Sequence, residues 1–217
     1  MLSYIAGVDE TGRGSVIGPL VVCLAYCSRS DEKKLNKLCK KDSKQLSAKQ
    51  RGEIYEQLKQ FCTFKWVEIS AVDLNKMMPN MSLNDIEAKA IADLIRDMDG
   101  DVMIDLPDRY AYTFQKRMEQ LGVKKFEAQH KADENYPIVA AASICAKLLR
   151  DKKIADITAE IGSFGSGYPS DEYTVKALRD KEMRAKLKPF IRERWQTLEN
   201  IKQRKLFEDE IYGDSQS

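Results

Sequence analysis

The segment Gly7-Val8-Asp9-Glu10-Thr11-Gly12-Arg13-Gly14 places two adjacent carboxylates and a glycine-flanked arginine directly after a short apolar run. Residues 4–8 form that run, and an apolar run bounded by glycine predicts a buried strand that exposes Asp9 and Glu10 at its end. Carboxylates at a strand end suit Mg²⁺ or Mn²⁺, because these hard cations prefer oxygen ligands. The glycines would let an anion or a sugar hydroxyl approach the backbone closely. A solvated turn after a strand is the alternative interpretation.

Length and composition set the broad class of protein. The chain has 217 residues, 43% of them hydrophobic, which is enough for a proper core. It begins without a basic region followed by an apolar one, and no window approaches the roughly 18 apolar residues that span a bilayer. We therefore expect a cytoplasmic protein with no membrane partner. Five scattered cysteines are expected to be reduced thiols; half a zinc site at Cys23 and Cys27 is the alternative, although no second pair follows.

Charge is concentrated near the carboxyl end. The formal net charge is only +2, but the stretch from Lys176 to Lys205 contains eleven basic residues and four acidic ones. Phe190 and Trp195 lie within it, as expected where a basic surface follows a phosphate backbone. Such a stretch would add affinity for any duplex through counterion release. A solvated helix face is the alternative.

Hydrophobic periodicity predicts alternating strands and helices. The first two strands would form an antiparallel hairpin through a turn at residues 12–15. The predicted strands span residues 4–8, 16–26, 63–70, 101–106 and 123–129. The predicted helices span residues 47–60, 82–95, 110–121 and 137–154, with two more beginning near Ser170 and Phe190. This order predicts an α/β fold with a mixed central sheet flanked by helices, in a domain over residues 1–162 that is followed by a helical section over residues 163–217.

Four acidic residues stand at element boundaries rather than on polar helix faces: Asp9, Glu10, Asp105 and Asp133. Metal-dependent phosphoryl transfer needs carboxylates from several elements, because two divalent cations about 4 Å apart must be bridged while positions stay open for water and phosphate. Neighbouring strand residues point to opposite faces, so the strand would have to bend for Asp9 and Glu10 to share a metal pair. For Asp133, a helix N-cap ahead of Pro137 is the alternative.

Five sequence blocks follow one another along the chain: residues 7–22 (GVDETGRGSVIGPLVV), 42–46 (DSKQL), 130–133 (HKAD), 140–147 (AAASICAK) and 165–171 (GSGYPSD). In order and spacing these blocks resemble type 2 ribonuclease H, and its archaeal form in particular. The likeness extends from about Ile5 to Trp195. Thr11 and Ser15 depart from the pattern, since the family more often has alanine and proline there. Both residues are small and flank the expected site.

The resemblance implies a ribonuclease H-like fold and an endonuclease, expected as a monomer, that cleaves the RNA strand of RNA/DNA hybrids and cuts at ribonucleotides embedded in duplex DNA. The products would carry 5′-phosphate and 3′-hydroxyl ends. It implies that the four boundary carboxylates are catalytic and bind two Mg²⁺ or Mn²⁺ ions. The turn Gly12-Arg13-Gly14 would bind the ribose 2′-OH, the chemical mark of RNA. Tyr168 would pack on the adjoining sugar, and Lys44 would contact phosphate.

Other functions stay open at this point. Another two-metal nuclease of the same fold, such as a junction resolvase, would lack the preference for ribose. A non-catalytic nucleic-acid-binding protein would have to tolerate four clustered carboxylates that repel phosphate. His130, the single histidine, is either a proton shuttle or a hydrogen-bonded structural residue. A packed surface tyrosine is the alternative for Tyr168.

Overall fold

A five-stranded mixed sheet forms the centre of the molecule. The computed structural model describes residues 4–39 and 46–200. The strand order is β3-β2-β1-β4-β5, in which β1, β2 and β3 are antiparallel neighbours and β4 and β5 run parallel to β1. The strands are β1 (Tyr4–Thr11), β2 (Leu20–Ser28), β3 (Cys62–Ile69), β4 (Gly100–Asp105) and β5 (Glu127–Gln129).

Helices cover both faces of this sheet, as the sequence predicted. On one face α3, α4 and α5 contribute Leu74, Ile91 and Phe114 to the main core. On the other face α1, α2 and α7 enclose a second core that includes Leu35 and Val139. The helices are α1 (Glu32–Leu38), α2 (Ala48–Leu58), α3 (Ala71–Met77), α4 (Leu83–Ile95), α5 (Ala111–Gln120), α6 (Ala132–Asn135), α7 (Pro137–Ile161), α8 (Glu172–Arg179) and α9 (Lys181–Leu187).

Helix α7 lies unusually close to β1. An added Cβ at Gly7 would lie 2.5 Å from the backbone carbonyl of Ile138, so only glycine permits this approach. Residues 138–146 are buried on every side of the helix, which explains their almost unbroken run of small and apolar types. The helix starts at Pro137 as predicted and continues to Ile161, one and a half to two turns beyond the predicted end. This contact fixes the polar residues of α7 relative to the end of β1.

Local capping signals placed two helices correctly. Ser47 and Gln50 form a capping box at the start of α2, and Ser82 and Asp85 form another at α4. The predicted antiparallel pairing of the first two strands is confirmed, with Thr11 opposite Val21.

Several predicted boundaries are wrong. Strand β2 begins at Leu20 rather than residue 16, and β5 is restricted to three residues. The predicted helix near Phe190 is a short 3₁₀ turn, and among the described residues that follow it the backbone is helical over 196–200. The helix predicted from Ser170 begins after an Asp171 cap and is followed by α9 as a separate helix.

The carboxyl-terminal residues pack on the rest of the chain through a third apolar cluster that includes Ile17, Phe164 and Leu187. The backbone of Ile17 also pairs with Ile191. In the described ranges, no helix is both long and apolar enough to cross a bilayer. All five cysteines are buried and free, as expected of reduced thiols.

Candidate active site

Asp9 and Asp105 lie at the carboxyl ends of two parallel neighbours, β1 and β4. The two strands pair from Tyr4 and Gly100 up to Val8 and Ile104, and each aspartate is the next residue. Beyond that point Asp9 pairs with β2 and Asp105 with β5, so the strands part. A crevice at the carboxyl ends of parallel strands is where α/β sheets place ligands. The fold therefore brings the two predicted strand-end carboxylates to the same end of the sheet.

Asp133 is delivered to the same place by the short helix α6. Lys131 precedes that helix with φ of +57°, the only positive φ of a non-glycine residue in the described chain. The next backbone amide, that of Ala132, donates to Oδ1 of Asp105 at 2.9 Å. Asp133 itself is buried in the first turn of α6, so the alternative that it caps a helix is wrong. This left-handed turn couples the position of Asp133 to that of Asp105.

The raised pKa values of Asp9 and Glu10 show that charges on the neighbouring carboxylates act on both residues. Burial raises the pKa of Asp9 to about 6, with Asp105 and Asp133 adding to the rise and Lys147 and Ser143 opposing it. Burial likewise raises the pKa of Glu10 to about 8, reinforced by Asp9 and Asp105. Negative charge on Asp105 therefore makes ionisation of both Asp9 and Glu10 more costly.

Asp9 is anchored by a polar chain on α7. Its carboxylate accepts from Ser143, and Nζ of Lys147 donates to the Ser143 hydroxyl. The backbone amide of Glu10 donates to Oδ1 of Asp9 at 2.7 Å. Ser143 and Lys147 lie in the sequence block of residues 140–147, but no role was predicted for them. Ser143, Lys147 and Arg150 recur at intervals of four and three, and they are the only polar residues in the otherwise apolar stretch 137–150; this pattern is the available signal.

The chemistry of this donor set fits divalent cations. Four carboxylates from β1, β4 and α6 supply only oxygen ligands, and a cation would relieve the repulsion that raises the pKa values of Asp9 and Glu10. As positioned, no three acidic, histidine or cysteine side chains of residues 4–39 and 46–200 converge on one ion position. Asp9 is turned toward Ser143, and Asp105 toward the Ala132 amide. Binding two ions would therefore require the carboxylate side chains to rotate.

The glycine turn follows directly after β1. Gly12 has φ of +83°, and an added Cβ would lie 2.5 Å from the Pro19 carbonyl, so the fold requires glycine there. The Ser15 hydroxyl closes the turn by donating to the Gly12 carbonyl at 2.9 Å. At Gly14, by contrast, an added Cβ would meet no atom within 4 Å. The fold gives no reason for glycine at position 14, whereas an approaching ligand would.

The Arg13 side chain is turned away from this turn and toward helix α4. Its guanidinium pairs with the buried carboxylate of Glu87 and donates to Oδ1 of Asn84 at 2.8 Å. A buried carboxylate without a cation would be strongly destabilising, so this ion pair is structural. Any contact of the turn with a ligand would then use its backbone rather than the Arg13 side chain.

Tyr168 lies on the glycine-rich loop before α8 and stacks on an arginine of α7. The Arg150 guanidinium carbon lies 4.4 Å from the ring centroid, and Nη2 donates to the Ser166 carbonyl at 3.0 Å. Arg150 is only 4% exposed, and burial lowers its pKa. An added Cβ at Gly12 would lie 2.8 Å from Nε of Arg150. The guanidinium therefore contacts both the glycine turn and the loop that carries Tyr168.

Arg192, which is 0% exposed, attaches the carboxyl-terminal section to the same turn. Its Nε donates to the Gly18 carbonyl at 2.9 Å, and Nη1 donates to the Arg13 carbonyl at 3.1 Å. Its own amide donates to the Val16 carbonyl, and its guanidinium lies 4.8 Å from the Trp195 ring. Burial, reinforced by the nearby Arg150 charge, lowers the pKa of Arg192 to about 9. Arg192 was predicted only as one charge of a basic surface, because composition alone does not indicate that it is buried.

His130 and Lys44 are the remaining residues for which a role was predicted. His130 is exposed, and its Nε2 lies 3.3 Å from the Arg109 carbonyl in the loop after β4. That contact supports the structural interpretation of this histidine. Lys44 lies outside the described residues, so its proposed contact with phosphate stays a prediction.

Comparisons with known proteins agree on one family. The family model described as Ribonuclease HII matches residues 6–198. Ribonuclease HII of Archaeoglobus fulgidus is 38% identical over 202 residues, which cover 93% of this chain and 98% of that protein. A chain of the PCNA:RNase HII complex from the same organism superposes with a TM-score of 0.82 at 38% identity, covering 91% of this chain and 96% of that one. Ribonuclease H2 from Pyrococcus horikoshii OT3 also gives 0.82, at 32% identity, covering 93% and 98%.

Proposed function

Because the chain belongs to the ribonuclease HII family, we propose that it is a metal-dependent nuclease that also cuts at single ribonucleotides embedded in duplex DNA. Its general activity is that of a ribonuclease H, an endoribonuclease acting on RNA/DNA hybrids. The observation that carries the finer proposal is the meeting of Asp9 and Asp105 where β1 and β4 part, next to a glycine turn.

In this proposal Asp9, Glu10, Asp105 and Asp133 hold two Mg²⁺ or Mn²⁺ ions. When bound, such ions neutralise charge on the reacting phosphate and lower the pKa of a water molecule. Ser143 and Lys147 keep Asp9 oriented through the hydrogen-bond chain from α7. The amide of Ala132 does the same for Asp105. Cleavage then leaves a 5′-phosphate and a 3′-hydroxyl, and His130 has no required role.

Selectivity for ribose is assigned to the backbone of the turn Gly12-Arg13-Gly14. The 2′-OH both donates and accepts hydrogen bonds, and exposed peptide groups can match it. Open space at Gly14 leaves room for a sugar, and Arg192 and Ser15 fix the turn by hydrogen bonds to it. Tyr168, backed by Arg150, would pack on the neighbouring sugar and align the phosphate to be cut.

A panel of substrates tests this proposal. Duplex DNA with one ribonucleotide, the same duplex without it, a continuous RNA/DNA hybrid and a four-way DNA junction would be incubated with the enzyme and Mg²⁺. We expect cutting of the first and third only, with 5′-phosphate and 3′-hydroxyl ends. Cutting of the junction would favour another two-metal nuclease of this fold. Binding without cutting of any substrate would favour a non-catalytic nucleic-acid-binding protein.

A further inference from the structure

We propose that Arg109, Tyr110 and Tyr112, here called the aromatic patch, form a subsite for the sugar-phosphate backbone of the duplex on one side of the cut. This inference rests on the proposed function, because it extends the same substrate-binding surface. None of the carboxylates or glycine-turn residues belongs to the patch.

The aromatic patch exposes two large tyrosine rings to solvent. Tyr110 and Tyr112 are 49% and 71% exposed, and their rings stack with centroids 5.8 Å apart at an interplanar angle of 26°. The Arg109 guanidinium carbon lies 5.2 Å from the Tyr110 ring centroid. Single exposed aromatics are common on protein surfaces. Exposed aromatic rings beside basic side chains occur where proteins contact nucleic-acid strands.

The patch is held rigidly beside the active site. Arg109 is four residues beyond Asp105 in the chain, and the carbonyl of Arg109 is contacted by His130, three residues before Asp133. Between them Asp108 is buried and anchors the loop by accepting from Thr113 Oγ1 at 3.0 Å and by pairing with Arg117. The loop that follows Asp105 and the turn that precedes Asp133 therefore position the patch as well as these carboxylates.

Charge around the patch favours a phosphate backbone as its occupant. Arg109 and His130 are exposed there. Of the nearby acids, Asp108 is buried and paired with Arg117, and Glu134 is offset by Lys131, its ion-pair partner at 3.4 Å. Bases of a duplex are already paired and stacked, so the duplex offers mainly sugars and phosphates. Sugars can pack on the tyrosine rings while Arg109 contacts phosphate.

The test measures affinity for single-ribonucleotide duplexes lengthened on one side of the ribonucleotide or on the other. Fluorescence anisotropy in EDTA would report binding without cutting. For Tyr110→Ala/Tyr112→Ala we expect roughly tenfold weaker binding to duplexes long on one particular side, on the scale of a lost aromatic stacking contact. Duplexes truncated on that side should bind the variant and the wild type equally.

Two controls separate ring packing from fold damage. Tyr110→Phe/Tyr112→Phe keeps the rings and should bind within about twofold of wild type. Trp66→Ala removes an aromatic that is 48% exposed on β3, at the opposite edge of the sheet, and should change nothing. Arg109→Ala should reduce the salt dependence of log Kd by about one phosphate contact.

Equal affinity of the alanine variant and the wild type for every duplex would overturn the subsite while leaving the proposed function intact. An effect confined to substrates with unpaired overhangs would also overturn it, because the occupant would then be a base. If the wild type neither binds nor cuts the single-ribonucleotide duplex, the proposed function itself fails, and the substrate panel reports this independently.

Discussion

The guanidinium of Arg150 stacks on the ring of Tyr168, with its central carbon 4.4 Å from the ring centroid, and the same guanidinium contacts the Gly12 turn. A buried arginine thus connects the residue expected to pack on a sugar with the turn expected to recognise that sugar. Because Arg150 also donates to the Ser166 carbonyl, the loop that carries Tyr168 is attached to α7 at two points. This arrangement makes the position of the Tyr168 ring a property of the folded protein before substrate binds.

We predict that Tyr168→Ala misplaces the scissile phosphate without disturbing the carboxylates. A displacement of about 1 Å can cost on the order of a hundredfold in rate, so cleavage at a single ribonucleotide should fall by about that factor. A continuous hybrid should lose less, because many alternative cutting positions remain. Single-turnover rates on both substrates, together with Mn²⁺ affinity, provide the measurement.

Arg150→Lys should resemble Tyr168→Ala, since lysine lacks the planar group that stacks on the ring. If the two residues act as a unit, the double variant should be no slower than the worse single variant. Equal losses on both substrates would make Tyr168 a general structural or catalytic residue. No loss on either would make it an ordinary surface tyrosine.

Sequence-based prediction succeeded where the determining contacts are local. The capping box at Ser47 and the predicted cap at Ser82 correctly located two helices, and both signals lie within four residues. Asp9 and Asp105 were identified because each follows an apolar run at the end of an element, and the structure shows that their strands are parallel neighbours. These features depend on hydrophobic periodicity and short-range hydrogen bonds, which are visible in a sequence.

Prediction failed where distant segments determine the backbone. Val16 and Ile17 are apolar enough for a strand, but both amides donate to the Gly167 carbonyl, and Ile17 pairs with Ile191. The predicted helix near Phe190 gave way to the same pairing. Arg192 looked like one more surface charge, because nothing nearby in the sequence marks a burial site for its guanidinium. The predicted division at residue 162 stays a prediction.

The glycine turn offers a matched pair of substitutions. Gly14→Ala should leave the free energy of unfolding within about 0.5 kcal/mol of wild type, because nothing lies near the added methyl group. It should nevertheless slow cutting at a single ribonucleotide by about tenfold or more, because the added methyl group would prevent the sugar from approaching the backbone closely. Urea denaturation and single-turnover cleavage test the two halves separately.

Gly12→Ala is the contrasting control. Its positive φ and the 2.5 Å approach to the Pro19 carbonyl should destabilise the protein by about 2 kcal/mol or more. If Gly14→Ala cleaved at the wild-type rate, the turn would have no role in ribose recognition. A large loss of stability in that variant would instead show that the space at position 14 is filled.

Arg192 and the exposed basic residues of the same section should behave differently. Arg192→Gln would break the hydrogen bonds to Gly18 and Arg13 and should lower both stability and discrimination between ribose and deoxyribose. Arg194→Ala, a change of an exposed neighbour, should weaken binding to all duplexes slightly and in a salt-dependent manner. Affinities for duplexes with and without a ribonucleotide, at several salt concentrations, distinguish the two effects. Unchanged discrimination in Arg192→Gln would contradict its assigned role in fixing the turn.

The raised pKa values make a prediction for the protein without divalent cations. The pKa of Glu10 is about 8 in the folded protein but near 4.5 when unfolded, so the folded state retains a proton that the unfolded state releases. Stability should therefore fall as pH rises from about 4 to about 8 and then level off. Asp9, with a folded pKa of about 6, contributes over the lower part of this range.

Thermal unfolding in EDTA at pH 5 and pH 8.5 measures this dependence. Glu10→Gln should reduce the loss of Tm between the two pH values, because the amide does not titrate. Adding Mg²⁺ at pH 8.5 should raise the Tm of the wild type more than that of the variant. Parallel pH profiles for the two proteins would mean that Glu10 is not held in the repulsive field described above.

Variants of the carboxylates test metal binding separately from folding. Asp9→Asn and Asp105→Asn keep the shape of each side chain but remove the charge that would hold a cation. Both variants should fold, and neither should be less stable than wild type in EDTA, where the carboxylates repel each other. A variant that failed to fold would point to a structural role for that residue instead.

The most direct test is the rate at which wild type, Asp9→Asn and Asp105→Asn cut a duplex with one ribonucleotide, in EDTA and across a Mg²⁺ titration. We predict no cutting by wild type in EDTA, full recovery on adding Mg²⁺, and losses of at least about a thousandfold in both variants at any Mg²⁺ concentration. Cutting in EDTA, or turnover near the wild-type rate by either variant at ordinary Mg²⁺ concentration, would contradict a metal site built on these two aspartates.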